Sequence, residues 1–462
     1  MKYKILELPG IKMLRAITVS RDVLGLILVL FVITVGFIVY ELKYFSSPLL
    51  FGIDGPYYYI QVMNILNTGY LKYLDPPLAF YALATFSMII GDIVIGIKIG
   101  SVILSLLGAL VLYFLVKELG GVISGVVSAI TYVFSAALIR MVFDLIKNAI
   151  GLVPLIASLL FTYLALRKHR FHYSVIASVL IIMTCLIHVL DFGVLTLFIL
   201  LITIVVVIKH RDDAKFVLPQ VIATLSLIIM GLLIMPEVVG NDLSKGLSFI
   251  NELLKGKGTD ILENPQSILT TLYPLLIGIS GLILSMRFVR YKRYFVAITA
   301  LIIIGLSIPF IPRNFLWRFN LVTLILTSPI LSLFVGIQRG LKTKIALTFL
   351  VLGIIMPQFI NQTLLLRPSI PEFEYKELEA LIQISPPNAY FIAPDPRLKY
   401  WIETLTPRVA LRPSAELREY PLIFIVELRD TKVNKPRLHV PPFAKLMFKG
   451  RFIEAYITHP PT

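Results

Sequence analysis

Side chains able to do chemistry lie in the stretches between long apolar runs, and the most distinctive of them is Asp54. It stands directly before Gly55 and Pro56 in the passage FGIDGPYYYIQVMNILNTGYLKYLDPPLAFY. A Gly-Pro pair favours a turn, so the carboxylate is predicted to lie at a backbone bend, where it can act as an acid–base group or bind a cation. The structural alternative is that Asp54 caps a helix starting at Pro56, with Tyr57–Tyr59 as an interfacial belt.

Two arginines flank a tryptophan far along the chain. Arg313 and Arg318 lie on either side of Trp317 in the segment IPRNFLWRFN, between two apolar runs. A guanidinium group suits bidentate contact with phosphate, so both are predicted to bind a phosphate group. The alternative is that their charged ends simply reach the membrane surface beside an interfacial tryptophan.

A second cationic segment, IRMVFDLIKNAIG, carries Arg140, Asp144 and Lys147. On one helix, spacings of three and four residues put these side chains on a common face. The face is either a surface ion-pair cluster or part of a site in which Lys147 contacts phosphate.

Further ionisable residues stand at the ends of apolar runs. His188 and Asp191 are separated by two residues and either contact a ligand or metal or merely mark a turn. Glu237 begins the loop Pro236–Ser267, which contains four glycines and is either a mobile lid or a connector.

The elements that must position these residues are membrane helices. The chain of 462 residues is 57% hydrophobic and 15% charged, with a mean hydropathy of +0.87, which excludes a soluble enzyme. Its single cysteine allows neither an intrachain disulfide nor a cysteine metal cluster. We predict about eleven transmembrane helices, at Val23–Tyr40, Lys98–Leu115, Val122–Ile139, Ala149–Leu166, Tyr173–His188, Asp191–Ile208, Val217–Met235, Ile268–Met286, Tyr294–Pro309, Leu321–Ile337 and Ile345–Ile360.

The basic residues orient these helices. If the short run Pro77–Ile90 is an interfacial or re-entrant helix, nineteen basic residues fall on one side of the membrane and nine in the loops opposite. The positive-inside rule makes the first side cytoplasmic, together with the N-terminus. The net charge of +16 is then mainly an orientation signal, and nucleic acid is not an expected partner. Acidic residues show the opposite bias, since five lie in inner loops and eleven in outer ones.

The composition divides the chain into two parts. Residues 1–360 form the predicted transmembrane domain, with a long first outer loop at 41–97, and residues 361–462 mix charges of both signs with prolines. Tyr390–Ala393 and Leu422–Val426 are typical of buried strands, whereas Glu372–Ile384 has helical spacing. We expect a small extracytoplasmic α/β domain here.

The passage around Asp54, followed by Asp75-Pro76-Pro77 and an apolar helix, resembles the first outer loop of the GT-C superfamily of membrane glycosyltransferases. Oligosaccharyltransferase catalytic subunits have a similar Asp-Pro followed by aromatic residues, and protein mannosyltransferases and lipid A aminoarabinose transferases have a similar Pro-Pro-Leu segment. A weaker resemblance, DPRLKYWIETLTPR at 395–408, is to the Trp-Trp-Asp region of oligosaccharyltransferases. This chain departs from the pattern because Gly55 separates Asp54 from Pro56 and the Trp-Trp-Asp triplet is missing.

The resemblance implies a GT-C fold and an inverting transfer of a sugar from a polyprenyl-phosphate donor to a glycan, lipid or protein acceptor. Asp54 would be the general base, because a carboxylate must remove the proton of an otherwise poor hydroxyl nucleophile. Asp54 and Asp144 could also hold Mg²⁺ or Mn²⁺, since hard cations prefer oxygen ligands. Fixed cations would stabilise the leaving phosphate, a role for Lys147, Arg313 and Arg318. The expected substrate contacts are Tyr57, Tyr58, Asp75, His188, Asp191 and Glu237.

Two other functions remain open at this point. A transporter or flippase for a lipid-linked or polar substrate predicts paired broken helices or charges at mid-bilayer depth. A catalytically inactive relative serving as a scaffold has the same sequence features.

Overall fold

The computed structural model describes residues 20–234, 251, 265–308, 311, 313–387, 389–393, 395–410, 423–428 and 444–458. Most of these residues are helical. The helices are α1 (Arg21–Tyr44), α2 (Gly55–Thr68), α3 (Leu78–Ile90), α4 (Ile93–Gly120), α5 (Val122–Val133), α6 (Ala136–Asp144), α7 (Ile146–Lys168), α8 (Phe171–Ile187), α9 (Val189–Lys209), α10 (Leu218–Ile234), α11 (Pro265–Ser285), α12 (Arg290–Leu306), α13 (Arg313–Gly336), α14 (Leu341–Leu365), α15 (Glu372–Ile384) and α16 (Pro396–Leu405).

The fold class is confirmed, but the number of spans is not. Six of the described helices, namely α1, α4, α7, α9, α13 and α14, are long and apolar enough to cross a bilayer, and α5 with α6 forms one further candidate bent by 47°. The other predicted spans fall on α8, α10, α11 and α12, which are not among these candidates. The count of eleven therefore stays a prediction.

Glycines allow α1 to pack closely against α5. A β-carbon on Gly25 would lie 2.5 Å from Val122 Cγ1, and one on Gly36 would lie 2.4 Å from Val133 Cγ1. Close approach of this kind matters in a membrane, where lipid tails are as apolar as the side chains and helices associate through tight packing.

Ion pairs join the loops that were predicted to share the inner side. Lys117 pairs with Asp22 at 3.1 Å, and Arg167 pairs with Glu118. We call this end of the bundle, which carries Arg21, the inner end. The opposite end, reached by α1 at Tyr44, is the outer end. Which of the two faces the cytoplasm stays a prediction.

The outer connection between α1 and α4 covers residues 45–92, because α1 continues to Tyr44 and α4 begins at Ile93. It is thus shorter at both ends than the predicted loop 41–97. The short run Pro77–Ile90 forms α3, which packs against α4: a β-carbon on Gly96 would lie 2.3 Å from Ser87 Cα.

A five-stranded sheet follows the last membrane helix, which runs on to Leu365, past the predicted division at residues 360 and 361. The strands are β1 (Tyr390–Ile392), β2 (Val409–Ala410), β3 (Ile423–Leu428), β4 (Lys445–Lys449) and β5 (Ile453–Thr458). Their order is β2-β1-β3-β5-β4, with β1 parallel to both neighbours and the β3–β5 and β4–β5 pairs antiparallel. The helix α15 and both predicted strands occur where the residue pattern indicated.

This C-terminal sheet region sits on the outer end of the bundle. Gly52, in the outer connection, forms a parallel bridge with Pro368, and its N–H donates to Arg367 O at 3.2 Å. On α16, Glu403 pairs with Lys72 at 2.6 Å and accepts from Tyr73 Oη. The outer connection is therefore held between the membrane helices and the C-terminal region.

Candidate active site

Asp54 lies in the outer connection and directly precedes α2. Its backbone is at the N-cap position, but its side chain makes no capping hydrogen bond, and none of the described residues donates to it. The capping interpretation is therefore wrong for the side chain. The half-buried carboxylate is left available at the start of the helix.

Charged groups from three other segments converge on Asp54. The pKa of Asp54 is raised to about 6, chiefly by burial and then by the negative charge of Asp144, while Lys147 and Arg318 oppose the shift. The outer connection, the end of α6, the start of α7 and the start of α13 thus converge. Arg318, which lies more than 250 residues further along the chain, reaches the same region as Asp54, as its predicted role requires.

Asp144 holds the segment that carries Asp54. Its Oδ1 accepts a hydrogen bond from the N–H of Ile53 at 2.9 Å. Gly52 has φ of +72°, and a β-carbon there would lie 2.2 Å from Asp144 Oδ1. Only glycine therefore fits the turn without moving Asp144.

The predicted common face is wrong for Lys147, because the helix breaks after Asp144, whereas Arg140 and Asp144 stay four residues apart on α6. The helix α6 ends at Asp144 and α7 begins at Ile146. Instead of pairing with Asp144, Lys147 donates to Asp75 Oδ2. The break allows Asp144 to turn toward the outer connection and Lys147 toward α2.

The two predicted substrate-binding tyrosines are engaged by the protein. Tyr57 donates from its hydroxyl to Asp75 Oδ2 at 2.8 Å and accepts from Gln61 Nε2 at 3.0 Å. The hydroxyl oxygen of Tyr58 accepts from the backbone N–H of Lys147 at 3.1 Å. Burial, followed by the charge of Asp75, raises the pKa of Tyr57. These contacts tie α2 to α7, so Tyr57, Tyr58 and Asp75 brace the site, and substrate contact by them stays a prediction.

Two guanidinium groups lie against the indole ring of Trp317. The Cζ atoms of Arg318 and Arg140 lie 5.2 Å and 5.6 Å from the ring centroid of Trp317, a cation–π arrangement. Trp317 is 38% exposed, Arg318 is exposed and Arg140 is half-buried, so Arg318 is the more accessible of the two cations. Arg140 was not predicted as a site residue, although it lies in the segment that contains Asp144. The side chain of Arg313 lies outside the described part of the structure.

His188 and Asp191 lie beside each other at the junction of α8 and α9. Their Nδ1 and Oδ2 atoms are 3.1 Å apart, and Asp191 is fully buried. A β-carbon on Gly151 would lie 2.3 Å from Asp191 Oδ2. Gly151 follows Lys147 by four residues on α7, so the His188–Asp191 pair lies about 6 Å from Lys147 along the helix axis. Substrate contact by His188 and Asp191 stays a prediction, and Glu237 lies outside the described residues.

The C-terminal region contributes side chains that the sequence did not identify as part of the site. The Tyr400 ring of α16 lies 5.5 Å from that of Tyr57, and burial followed by the charge of Asp54 raises the pKa of Tyr400. Lys399 Nζ donates to Tyr73 Oη at 2.7 Å and lies 4.4 Å from the Tyr400 ring centroid. The segment DPRLKYWIETLTPR was the only signal for this contribution.

The described residues contain no group of three or more His, Cys, Asp or Glu side chains that could bind a metal ion by themselves. Asp54 and Asp144 nevertheless carry like charges close enough for Asp144 to raise the pKa of Asp54. Magnesium is commonly held by one or two carboxylates together with water and substrate phosphate. The residues present fit that mode.

Comparisons with known proteins agree with the fold. Residues 75–237, about a third of the chain, match the family model for dolichyl-phosphate-mannose-protein mannosyltransferase. No curated protein sequence matches the chain.

Three solved structures illustrate the structural similarity. Oligosaccharyltransferase from Archaeoglobus fulgidus in complex with Zn and sulfate has a TM-score of 0.63 and 14% identity, covering 86% of this chain and 67% of that one. The same enzyme tethered with an acceptor peptide containing the NVT sequon has a TM-score of 0.58 and 14% identity, covering 88% and 69%. ArnT from Cupriavidus metallidurans bound to undecaprenyl phosphate has a TM-score of 0.43 and 12% identity, covering 94% and 97%.

The chain has the fold of the GT-C membrane glycosyltransferases, as the sequence resemblance implied. Within that class, the matching family model is the one built on protein mannosyltransferases. These findings support a multi-pass membrane glycosyltransferase.

Proposed function

We propose that this protein transfers a sugar from a polyprenyl-phosphate donor to an acceptor hydroxyl group on the extracytoplasmic face of the membrane. One observation carries the proposal: a carboxylate without a hydrogen-bond partner among the described residues, Asp54, lies within electrostatic reach of Lys147 and Arg318. A base and phosphate-binding cations in one partly buried site are what this reaction needs.

The reaction is a single displacement. The acceptor oxygen forms a bond to the anomeric carbon while the bond from that carbon to the phosphate oxygen breaks. The acceptor proton passes to Asp54, and the electron pair leaves with polyprenyl phosphate. A carboxylate with a pKa of about 6 is ionised at neutral pH yet more basic than an ordinary aspartate, which favours proton transfer. Displacement from the opposite face inverts the anomeric configuration.

The cations stabilise the leaving group. Negative charge grows on the lipid phosphate as the bond breaks, and Arg318 offers a planar donor fork to it. Lys147 is already paired with Asp75, but an ammonium group has three donors and keeps others for a ligand. In an alternative role, Asp54 would hold Mg²⁺ or Mn²⁺ together with Asp144, and the cation would supply charge neutralisation at the same phosphate.

The matching family model supports the class of donor, since its description names dolichyl-phosphate-mannose, a sugar carried on a polyprenyl phosphate. The acceptor is less defined. An acceptor peptide is bound by the archaeal oligosaccharyltransferase, whereas this chain lacks the Trp-Trp-Asp triplet, so the acceptor class remains a glycan, a lipid or a protein.

Transport receives no specific support from the helices. Transporters of the inverted-repeat type have discontinuous helices in corresponding positions of two halves. The described residues contain one bent pair, α5 with α6. That pair ends at Asp144, so its geometry supplies a residue of the site.

The test uses membranes containing the full chain and polyprenyl-phosphate sugars labelled in the sugar. We expect release of free polyprenyl phosphate together with an equal amount of label in a new product. Membranes carrying Asp54→Asn are the control and should release little. Movement of intact donor across the bilayer, without cleavage of the sugar–phosphate bond, would refute the proposal and favour a flippase.

A further inference from the structure

An apolar groove opens at the inner end of the bundle, between α1, α5 and α14. Its cavity volume is about 780 Å³, within the range of small-molecule sites. The walls are made of aliphatic side chains at helical spacing, and several are exposed. The principal wall residues are Leu24, Leu28, Val122, Val126, Ile130 and Ile345.

On the side that faces the protein interior, tight packing between α1 and α5 closes the groove. Gly25, which lines it, would bring a β-carbon to 2.5 Å from Val122 Cγ1. On the open side, Leu24, Leu28 and Ile345 are 52%, 43% and 48% exposed, so no described part of the protein covers them. The groove therefore opens toward the surrounding bilayer.

The rim of the groove is basic. Arg21, Arg339 and Lys344 line it, and none of the three forms an ion pair with a described residue. The one acidic neighbour in sequence, Asp22, is paired with Lys117 instead. No described acidic side chain therefore pairs with these three cations, which lie at the mouth of the apolar groove.

The dimensions confine the groove to one leaflet. The groove extends along α5 from Val122 to Ile130, a length of about 12 Å. This length is less than half of the roughly 30 Å thickness of the hydrocarbon core. The helix α1, with 24 residues, is about 36 Å long, so the groove lies at the opposite end of the bundle from Asp54. It is therefore separate from the candidate active site.

We propose that this groove binds one anionic phospholipid, with its phosphate between Arg21, Arg339 and Lys344 and an acyl chain along α1 and α5. An apolar slot with a basic mouth, opening sideways to the bilayer, matches a phosphate headgroup joined to a hydrocarbon chain. A zwitterionic lipid such as phosphatidylcholine would bring a quaternary ammonium group of like charge beside the three cations, which weakens its binding. The proposal does not depend on the glycosyltransferase activity.

The experiment titrates the purified, delipidated full chain with phosphatidylglycerol or phosphatidylcholine and counts bound lipids by native mass spectrometry. We expect one saturable phosphatidylglycerol and at least tenfold weaker binding of phosphatidylcholine. Arg339→Gln with Lys344→Gln should weaken phosphatidylglycerol binding about 30-fold, since each basic residue contributes roughly 1 kcal/mol at a membrane surface. The matched control is Lys342→Gln, an exposed lysine at the same helix start that does not line the groove.

A second pair of variants tests the apolar slot. Ile345→Trp should fill the groove and reduce lipid binding, whereas Ile354→Trp, at an exposed isoleucine on the same helix outside the groove, should not. Equal binding of both phospholipids, or an equal loss with Lys342→Gln, would overturn the proposal.

Other occupants give distinct results. Tighter binding of polyprenyl phosphate at this groove would make it a donor site, and displacement by inorganic phosphate alone would make it an ion site. Lipid binding that requires removal of residues 1–19 would mean that the chain's own N-terminal segment fills it. Each of these outcomes contradicts a phospholipid site.

Discussion

Replacing Asp54 by asparagine removes a charge and a base while keeping the shape of the side chain. If Asp54 accepts the acceptor proton, turnover should fall by about 10²- to 10⁴-fold, the usual contribution of general-base catalysis. That range corresponds to about 3–5 kcal/mol of barrier. The matched control is Asp92→Asn, in the same outer connection, where the carboxylate accepts from Ile95 N at 2.8 Å and asparagine can cap equally well.

The same substitution should not destabilise the fold. The pKa of Asp54 rises from the ordinary 3.8 to about 6, so the ionised form is disfavoured in the folded protein. This cost is present above pH 6 and disappears as the pH falls below the ordinary value. A shift of two units corresponds to about 3 kcal/mol, reduced to about 1 kcal/mol because the group is partly solvated. Asp54→Asn should therefore leave the melting temperature unchanged or raise it slightly.

The assay measures polyprenyl phosphate released by purified protein in liposomes, alongside thermal melting of each variant. Low turnover with an unchanged or higher melting temperature is the expected combination. Full turnover in Asp54→Asn would remove Asp54 from catalysis. A clear drop in melting temperature accompanying the loss of turnover would indicate a structural role.

Four further outcomes follow from the site. A pH profile of kcat/KM should fall below about pH 6, where Asp54 becomes protonated; a limb near pH 4 would argue against this base. Arg318→Ala should weaken donor binding by about 10- to 100-fold, as expected for a charged hydrogen bond, with partial recovery in Arg318→Lys; unchanged affinity in both would exclude phosphate contact. Gly52→Ala should lower turnover because its β-carbon displaces Asp144, whereas Gly69→Ala, at φ of +82° with no atom within 4 Å, brings only backbone strain; equal turnover in the two would show that Asp144 does not set the site. Chelation by EDTA should reduce turnover, and Mg²⁺ or Mn²⁺ should restore it; insensitivity to both would remove the cation from the proposal.

Composition and periodicity predicted the membrane architecture because burial in lipid imposes long apolar runs whatever their tertiary contacts. The C-terminal elements Tyr390–Ile392 and Glu372–Ile384 were predictable for a similar reason, since alternation and helical spacing are local signals. The number of spans was not predictable, because several helices are shorter than the thickness of a bilayer. Their position relative to the membrane depends on packing against other helices.

The sequence predicted that Asp54 and Arg318 would lie in one region, and the structure brings them together, while their roles in catalysis and phosphate binding stay predictions. The break after Asp144 was not predictable, since Ala136–Asp144 and Ile146–Lys168 are both good helical sequences and the break is stabilised by the contact of Asp144 with Ile53. Tyr400 could not be found either, because its contact with Tyr57 joins residues more than 300 positions apart.

The most direct measurement is a cryo-EM map of the Asp54→Asn variant with a polyprenyl-phosphate sugar bound. The account predicts that the phosphate lies against Arg318 and Lys147, with the anomeric carbon turned toward residue 54. A donor phosphate found at the inner end, beside Arg21 and Arg339, or separated from residue 54 by packed protein, would contradict it.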